Sequence, residues 1–441
     1  MSAVAGLCAA RGFTVYGSDD KTLYDPARSV LDRFRIPYTV GFTAEPELLL
    51  VSELVVVSAG IESNNIELEK ARQSGIKIVS YPELLAALTI DERRIVVVGT
   101  NGKSSTSALL GFLLANLNDS SFFVGGVLRQ YGSNFRFGNG PEFVLEGDEY
   151  RAGYNDQTPK FMYYRPDVLL INNLELDHPD IYQGLEDLKN VFAKLIAAMP
   201  DQGLVVYNAD DQNVVDLVQN IKQNKFSFSF LNPKGDVKAE SAGKDPADDT
   251  FLYKFKFSGR DFNFLTKFPG VIYGYNCLAA ISVLLALGYQ PEKFLDFIEL
   301  YQGLKRRFEI VQDGDITVID DYAHHPTAVL ATLTAARQKY PDRRIIAVFE
   351  PHTYSRTAAT LPQLAKAFQP ADLVFISEVY PARESKLPSS ITGEKLVDEI
   401  SKNRKDVFYT ANQESTQKTL NGLLKKGDVV VVMSVGPYKA I

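Results

Sequence analysis

Short apolar runs of four or five residues recur along the chain. Each ends in glycine, serine, asparagine or an acidic residue, and helical patterns separate the runs. Over residues 1–92 the pattern predicts a helix from Met1 to Arg11 ended by Gly12, then a strand Phe13–Tyr16 running into Gly17-Ser18-Asp19. A helix around Ser29–Phe34 and a short strand near Tyr38 follow, and then the strand Leu54–Val57, which runs into Ser58-Ala59-Gly60. A helix over Glu67–Ser74, ended by Gly75, and a strand Ile76–Val79 complete this unit. Residues 93–307 form a second, larger unit with strands at Phe143–Leu145 and Val168–Ile171, helices at Leu185–Met199 and Asn276–Leu287, and a polar loop or hairpin region at 232–250. Residues 308–441 form a third, with strands at Ile316–Ile319, Ile345–Phe349, Leu373–Ile376 and Val429–Met433 and a helix over Thr327–Tyr340. Strands that alternate with helices imply parallel sheets, whose ligands bind at the carboxyl ends of the strands. Ser18, Asp19 and Ser58 stand at such ends and are candidate ligand contacts.

The second unit opens on the stretch that organises the chain. Arg94-Ile95-Val96-Val97-Val98 runs into Gly99-Thr100-Asn101-Gly102-Lys103-Ser104-Ser105, and an apolar helical pattern follows (Ala108, Leu109, Leu110, Phe112). Strand, glycine loop and helix are the context of a phosphate loop: backbone N–H groups and a helix N-terminus face the phosphates, a lysine adds charge, and a hydroxyl reaches Mg²⁺. Only Thr100 and Asn101 separate Gly99 from Gly102-Lys103, where the commoner loop has four residues. The competing reading, a plain turn with a surface lysine, leaves the flanking strand and helix unexplained.

Length and charge narrow the class. The 441 residues exceed one core, and a net charge of −7 with no basic stripe argues for a small-molecule enzyme and against nucleic acid as a partner. No apolar run approaches a membrane span and no basic n-region precedes the first apolar stretch, so a cytoplasmic protein without a membrane partner is expected. Oligomeric state is left open. Cys8 and Cys277 lie among apolar residues and read as buried thiols, not as a metal or disulfide framework. The four histidines, His178, His324, His325 and His352, all lie in polar, proline-marked segments, which suggests binding or catalytic use.

Two acidic strand ends, Glu146-Gly147-Asp148-Glu149-Tyr150 and Asn172-Asn173-Leu174-Glu175-Leu176-Asp177-His178, accompany the phosphate loop, and Arg306-Arg307 closes the unit. Together they describe phosphoryl transfer, where catalysis is positioning plus charge neutralisation. Lys103 would hold the phosphates, Ser104 would ligate Mg²⁺ and an arginine would meet the transferring group. Ligase, kinase and nucleotide-driven motor or switch all fit. Three α/β units favour a ligase or kinase, because two substrates must meet the nucleotide.

The segments Gly99–Ser104, Glu146–Tyr150, Asn172–His178, Gly303–Phe308, Asp320–Pro326 and Pro351–Thr357 together resemble the Mur ligase family of ATP-dependent amide-forming enzymes. The resemblance implies an α/β fold in three domains: an N-terminal Rossmann-like domain for the UDP-sugar (1–92), a central P-loop ATPase-like domain (93–307) and a C-terminal Rossmann-like domain for the amine (308–441). The sequence begins at the helix that would follow the first strand and glycine-rich loop of such an N-terminal domain, so that domain is read as lacking its first strand. The implied activity converts the carboxylate of UDP-N-acetylmuramate into an acyl phosphate, which an amino acid or peptide then attacks. By the same resemblance, Lys103 and Arg307 are catalytic. Gly99, Thr100, Asn101, Gly102, Lys103, Ser104, Ser105, Asn276, Arg307 and Asp321 bind ATP, with Asp321 at the ribose. Ser104, Glu146 and His178 hold Mg²⁺, Glu146 and His178 being counted with the catalytic set. His324, His325, His352 and Arg356 face the incoming amine, and Ser18, Asp19 and Ser58 contact the UDP-sugar.

Two branches of the family compete. The stretch Glu149-Tyr150 through Asn172–Glu175 to Asp180-Ile181-Tyr182, with Met433-Ser434-x-Gly436, is similar to the recycling branch, whose amine is the tripeptide L-Ala-γ-D-Glu-meso-diaminopimelate. Pro351–Thr357 with Val379-Tyr380-Pro381-Ala382 is more similar to the branch that adds L-alanine. The tripeptide is the favoured expectation and L-alanine the alternative; an inactive nucleotide-binding relative is the reading from another class. Ile272-Tyr273 replaces the family's usual His-Asn at the adenine-contacting segment, although Asn276 is kept, and the spacing of Lys194 from His178 does not establish it as the carbamylated lysine that some relatives use.

Overall fold

The computed structural model describes residues 1–23, 25–43, 47–177, 181–245, 249–382, 384–385, 390–436 and 438. The chain divides into two compact units: Met1–Glu175 with Leu188–Val237 and Leu278–Gln302, and Leu176–Asp187 with Lys238–Cys277 and Gly303–Ile441.

In the first unit, seven neighbouring strands are ordered Asn224–Ser229, Leu204–Asn208, Val168–Ile171, Arg93–Val98, Glu142–Glu146, Ser121–Leu128 and Ser133–Arg136. All pairings are parallel except the last. The central strands are buried on both faces, as parallel sheets require; Ile95–Val98 and Leu169–Ile171 have no exposed surface. Each such side chain contributes on the order of 1.5–3 kcal/mol of transfer free energy. Arg93–Val98 lies mid-sheet between Val168–Ile171 and Glu142–Glu146. The loop that follows it is therefore flanked by the two acidic strand ends.

The N-terminal region carries the helix Ser2–Ala10 and two separate parallel pairs, Gly17–Asp19 with Tyr38–Val40 and Leu54–Val57 with Lys77–Ser80. The expected strand at Phe13–Tyr16 does not form. The neighbouring strand Tyr38–Val40 registers with Gly17–Asp19 instead, and Phe13 is left exposed. The loop or hairpin expected over 232–250 includes the strand Val237–Lys244.

In the second unit the strands Phe251–Phe257 and Arg260–Thr266 form an antiparallel hairpin that the helical and loop signals missed. A six-stranded sheet runs Glu309–Gln312, Thr317–Asp321, Val429–Met433, Ile345–Phe349, Leu373–Ile376 and Val407–Tyr409, with only the first pair antiparallel. Ile319, Val329, Leu333, Phe349, Phe368 and Met433 are among the residues that build its core. Asp321, Glu350, Ser377 and Ser434 all stand at or just past the carboxyl ends of its parallel strands. No single helix among the described residues is long and apolar enough to cross a membrane.

Candidate active site

Gly99 and Gly102 adopt φ of 135° and 80°, backbone that a side chain resists. Gly102 is the N-cap of the helix Lys103–Asn118, and no side chain caps that helix. Its first-turn N–H groups thus end at the loop, with the positive end of the helix dipole behind them. Ser105 lies in that first turn.

The loop is held by the neighbouring strand end. Thr100 N donates to Asn173 O (3.1 Å) and Asn101 N to Asn173 Oδ1 (2.7 Å), while Asn173 Nδ2 donates back to Asn101 O (2.9 Å). Thr100 Oγ1 donates to Glu175 O and accepts from Glu175 N, at 2.8 and 2.9 Å. Asn172 Nδ2 reaches Thr106 Oγ1 in the first turns of the helix (3.0 Å). In the sequence the segment Asn172–His178 stands out for its charge. Its two asparagines instead fasten the loop, a role whose only sequence signal is paired amides at the end of a strand that must lie beside the loop strand.

Lys103 folds over the loop it follows. Its Nζ donates to Gly99 O (2.6 Å), Thr100 O (3.4 Å) and Glu149 Oε1 (2.9 Å). Burial alone would lower its pKa, but the carboxylates of Glu149, Asp148 and Glu146 outweigh that and raise it, so the ammonium stays charged. Glu149, named in the sequence only as part of the acidic strand end, is a buried carboxylate facing this cation. Beside it Asp148 accepts from Lys160 Nζ at 2.5 Å.

Ser104 Oγ donates to Glu146 Oε1 at 2.8 Å, and Gly125 N donates to Oε2. A hydroxyl and a carboxylate side by side at a phosphate loop are the hard oxygen donors that Mg²⁺ takes, so these residues fit the ion. His178, the third expected ligand, lies outside the described residues. Lys194 is exposed on the helix Leu185–Ala197.

Ser18 donates from Oγ to Glu67 Oε2, Asp19 Oδ1 accepts from Lys21 N (3.3 Å), and Ser58 O accepts from Ile61 N (3.3 Å). In the second unit, Asn276 is buried on the helix Val271–Ala286, and the Tyr273 ring stacks on Phe268 at 4.5 Å. Asp321 accepts from Phe308 N (2.6 Å) and Ala323 N (2.7 Å); burial, opposed by the charge of Arg307, holds its carboxyl above the usual range. The Arg307 guanidinium lies 4.9 Å from the Tyr322 ring centre.

Arg306, adjacent in sequence, is spent differently. It donates to Val435 O (2.8 Å), Ser434 O (2.7 Å) and Gly436 O (2.9 Å), and pairs with Asp320 at 3.2 Å. Only the planar fork of arginine reaches so many acceptors at once. Arg306→Ala is expected to lower stability by about 2–4 kcal/mol in urea unfolding, and Arg306→Lys to recover less than half of that.

The remaining candidates form one cluster. The His324 imidazole Nδ1 lies 2.9 Å from Tyr322 O; a carbonyl only accepts, so Nδ1 carries the proton. Loss of hydration and the nearby Arg356 charge push this histidine down to about 3, leaving it neutral. The His324 and His352 rings meet edge-on at 5.7 Å, and His352 stacks on Tyr380 at 5.9 Å. Arg356 Nη1 lies 2.9 Å from His352 Nδ1. His325 stands apart in role, as the N-cap residue of the helix Pro326–Lys339.

Three family models match the chain: "Mur ligase family, catalytic domain" over residues 1–93, "Mur ligase middle domain" over 97–284, and "Mur ligase, glutamate ligase domain" over 306–436. A UDP-N-acetylmuramate–L-alanine ligase of Sulfurihydrogenibium sp. is 35% identical over 438 residues, 99% of this chain and 92% of that protein. The chain belongs to the Mur ligase family. It is an ATP-dependent ligase that forms a C–N bond, in the three-domain α/β fold of that family. The Persephonella marina protein of the same name is also 35% identical to this Mur ligase over 99% of the chain and 92% of its own length. Among solved structures, the UDP-N-acetylmuramate-alanine ligase of Thermotoga maritima matches it with a TM-score of 0.80 at 25% identity, over 99% of this chain and 93% of that one. A murein peptide ligase of Psychrobacter arcticus shares the fold, with a TM-score of 0.72 at 24% identity and the same coverages.

Proposed function

We propose that this Mur ligase joins L-alanine to the carboxylate of UDP-N-acetylmuramate. The observation that carries the reading is the name borne by relatives 35% identical across 99% of the chain. It favours the alternative amine over the tripeptide expected from the middle stretch and the Met433-Ser434-x-Gly436 ending. It agrees with the likeness of Pro351–Thr357, the segment that carries His352 and Arg356 of the amine-side cluster, to the L-alanine branch.

In this reading the carboxylate oxygen bonds to the γ-phosphorus of ATP as ADP leaves. The amine nitrogen then bonds to the acyl carbon as phosphate leaves. Gly99–Ser105 cradle the phosphates, and Lys103 exchanges its contact with Glu149 for them. Ser104, Glu146 and His178 would hold Mg²⁺, which supplies charge neutralisation at the transferring group. Arg307, Asn276 and Asp321 serve the nucleotide, with the backbone N–H groups of Phe308 and Ala323 keeping Asp321 an acceptor. Ser18, Asp19 and Ser58 serve the UDP-sugar in residues 1–92, the ATP domain spans 93–307, and 308–441 serve the amine through His324, His325, His352 and Arg356.

Phosphate release from ATP, with UDP-N-acetylmuramate present, is expected to rise more with L-alanine than with the tripeptide when the two are run side by side. A faster tripeptide reaction assigns the chain to the recycling branch. No stimulation by either amine refutes the function proposed here.

A further inference from the structure

Within the second unit, the segment Leu176–Asp187 supplies one side chain to the cluster around Arg356. Asp177 Oδ1 accepts from Nε of Arg356 at 3.0 Å and lies 3.0 Å from Nη2 across the ion pair. The two side chains are only 11% and 8% exposed, so the pair is shielded from solvent and from salt. The third engaged nitrogen, Nη1, meets His352 Nδ1 at 2.9 Å. A guanidinium only donates, so His352 Nδ1 accepts and its proton sits on Nε2. Backbone bonds fix the base of this side chain: Thr353 N donates to Tyr380 O (2.9 Å), and Thr353, at φ 60°, caps the short helix Tyr354–Ala359.

The energetic argument concerns direction. A buried arginine without a fixed anion would turn its fork toward any available carbonyl. Here the Nε–Nη2 edge faces Asp177 and one Nη1–H donates to His352, so among the described residues one N–H on each Nη is left for a further acceptor. We propose that Asp177 is a positioning residue for the amine substrate: it turns Arg356 so that those two donors meet the carboxylate of an incoming α-amino acid. This rests on the amine-side reading of Arg356 given above. Asp177 immediately precedes His178, so the same short segment that carries an expected Mg²⁺ ligand also sets the amine-side cation.

Asp177→Asn keeps an acceptor and removes the charge. The KM for the amine is expected to rise about ten-fold or more, with kcat changed less than about three-fold and the KM values for ATP and UDP-N-acetylmuramate within about two-fold. Arg356→Lys should behave alike, and the double variant should lose little beyond either single one. A general loss of structure would instead move all three KM values or kcat. Proton exchange at the ¹⁵N-labelled Arg356 Nε, read by NMR without substrate, is expected to be slow in the wild type and fast in Asp177→Asn. Should that variant fail to fold, Asp177→Glu takes its place, with the Nε proton still protected and a smaller rise in the amine KM. Additive losses in the double variant, or a raised KM for ATP with the amine KM unchanged, would overturn the assignment. If the wild type turns over neither amine, the proposed function fails and the amine role of Asp177 falls with it; slow Nε exchange would then mark an ion pair of the fold alone.

Discussion

Lys103→Met is expected to lower kcat for acyl-phosphate formation by about a thousand-fold while leaving UDP-N-acetylmuramate affinity within about two-fold. The ammonium is hydrogen-bonded into the loop, where it reaches the Gly99 and Thr100 carbonyls and Glu149. Removing it also takes the cation from a buried carboxylate, at a cost of about 3–5 kcal/mol in stability. The two effects separate in the double variant Lys103→Met/Glu149→Gln, where unfolding in urea should recover most of the lost stability and acyl-phosphate formation should recover none. Isothermal titration with the UDP-sugar checks the binding arm. Loss of sugar affinity along with turnover would contradict the assignment of the sugar to residues 1–92.

Gly99→Ala is the second large effect, and it acts without removing any charge. At φ 135° a Cβ on residue 99 would lie 2.9 Å from Asn173 O and 3.1 Å from Asn173 N, both backbone atoms of the strand end that fastens the loop. Neither can yield without breaking the Thr100–Asn173 and Asn101–Asn173 contacts. The expected result is a fall of about 100-fold in kcat/KM for ATP, because a displacement near 1 Å in a positioning site costs that much. A stability loss of about 1–3 kcal/mol should accompany it. Single-turnover phosphate release and urea unfolding measure the two. A variant with unchanged KM for ATP would show that the loop does not need this approach.

The strands that the sequence located to the residue are unbroken apolar runs, the half-exposed Leu54–Val57 among them and the buried parallel strands above all. Val168–Ile171, Ile345–Phe349, Leu373–Ile376 and Val429–Met433 are unbroken apolar runs because both of their faces are covered. Two other elements were misplaced or missed. Phe13–Tyr16 has strand propensity, yet pairing fell on Gly17–Asp19, where a partner was available. The Phe251–Phe257 and Arg260–Thr266 hairpin alternates its buried positions, a weaker pattern than a continuous run.

The phosphate loop was legible for a local reason. Its strand, glycines, lysine and helix are contiguous, so spacing alone fixes how they lie. The side chains that complete it come from far along the chain. Asn173 is 72 residues from Asn101 and Glu149 is 46 from Lys103. Arg356 and Asp177 are 179 residues apart. Arg306 and Arg307 look alike in sequence, yet one holds the Ser434–Gly436 carbonyls and the other lies against Tyr322. The sequence by itself determined the parallel α/β sheets and the residues that can take phosphate, because both follow from local pattern. Only the tertiary structure decided which carboxylate faces which cation, because strand order and loop closure, and not sequence separation, set those distances.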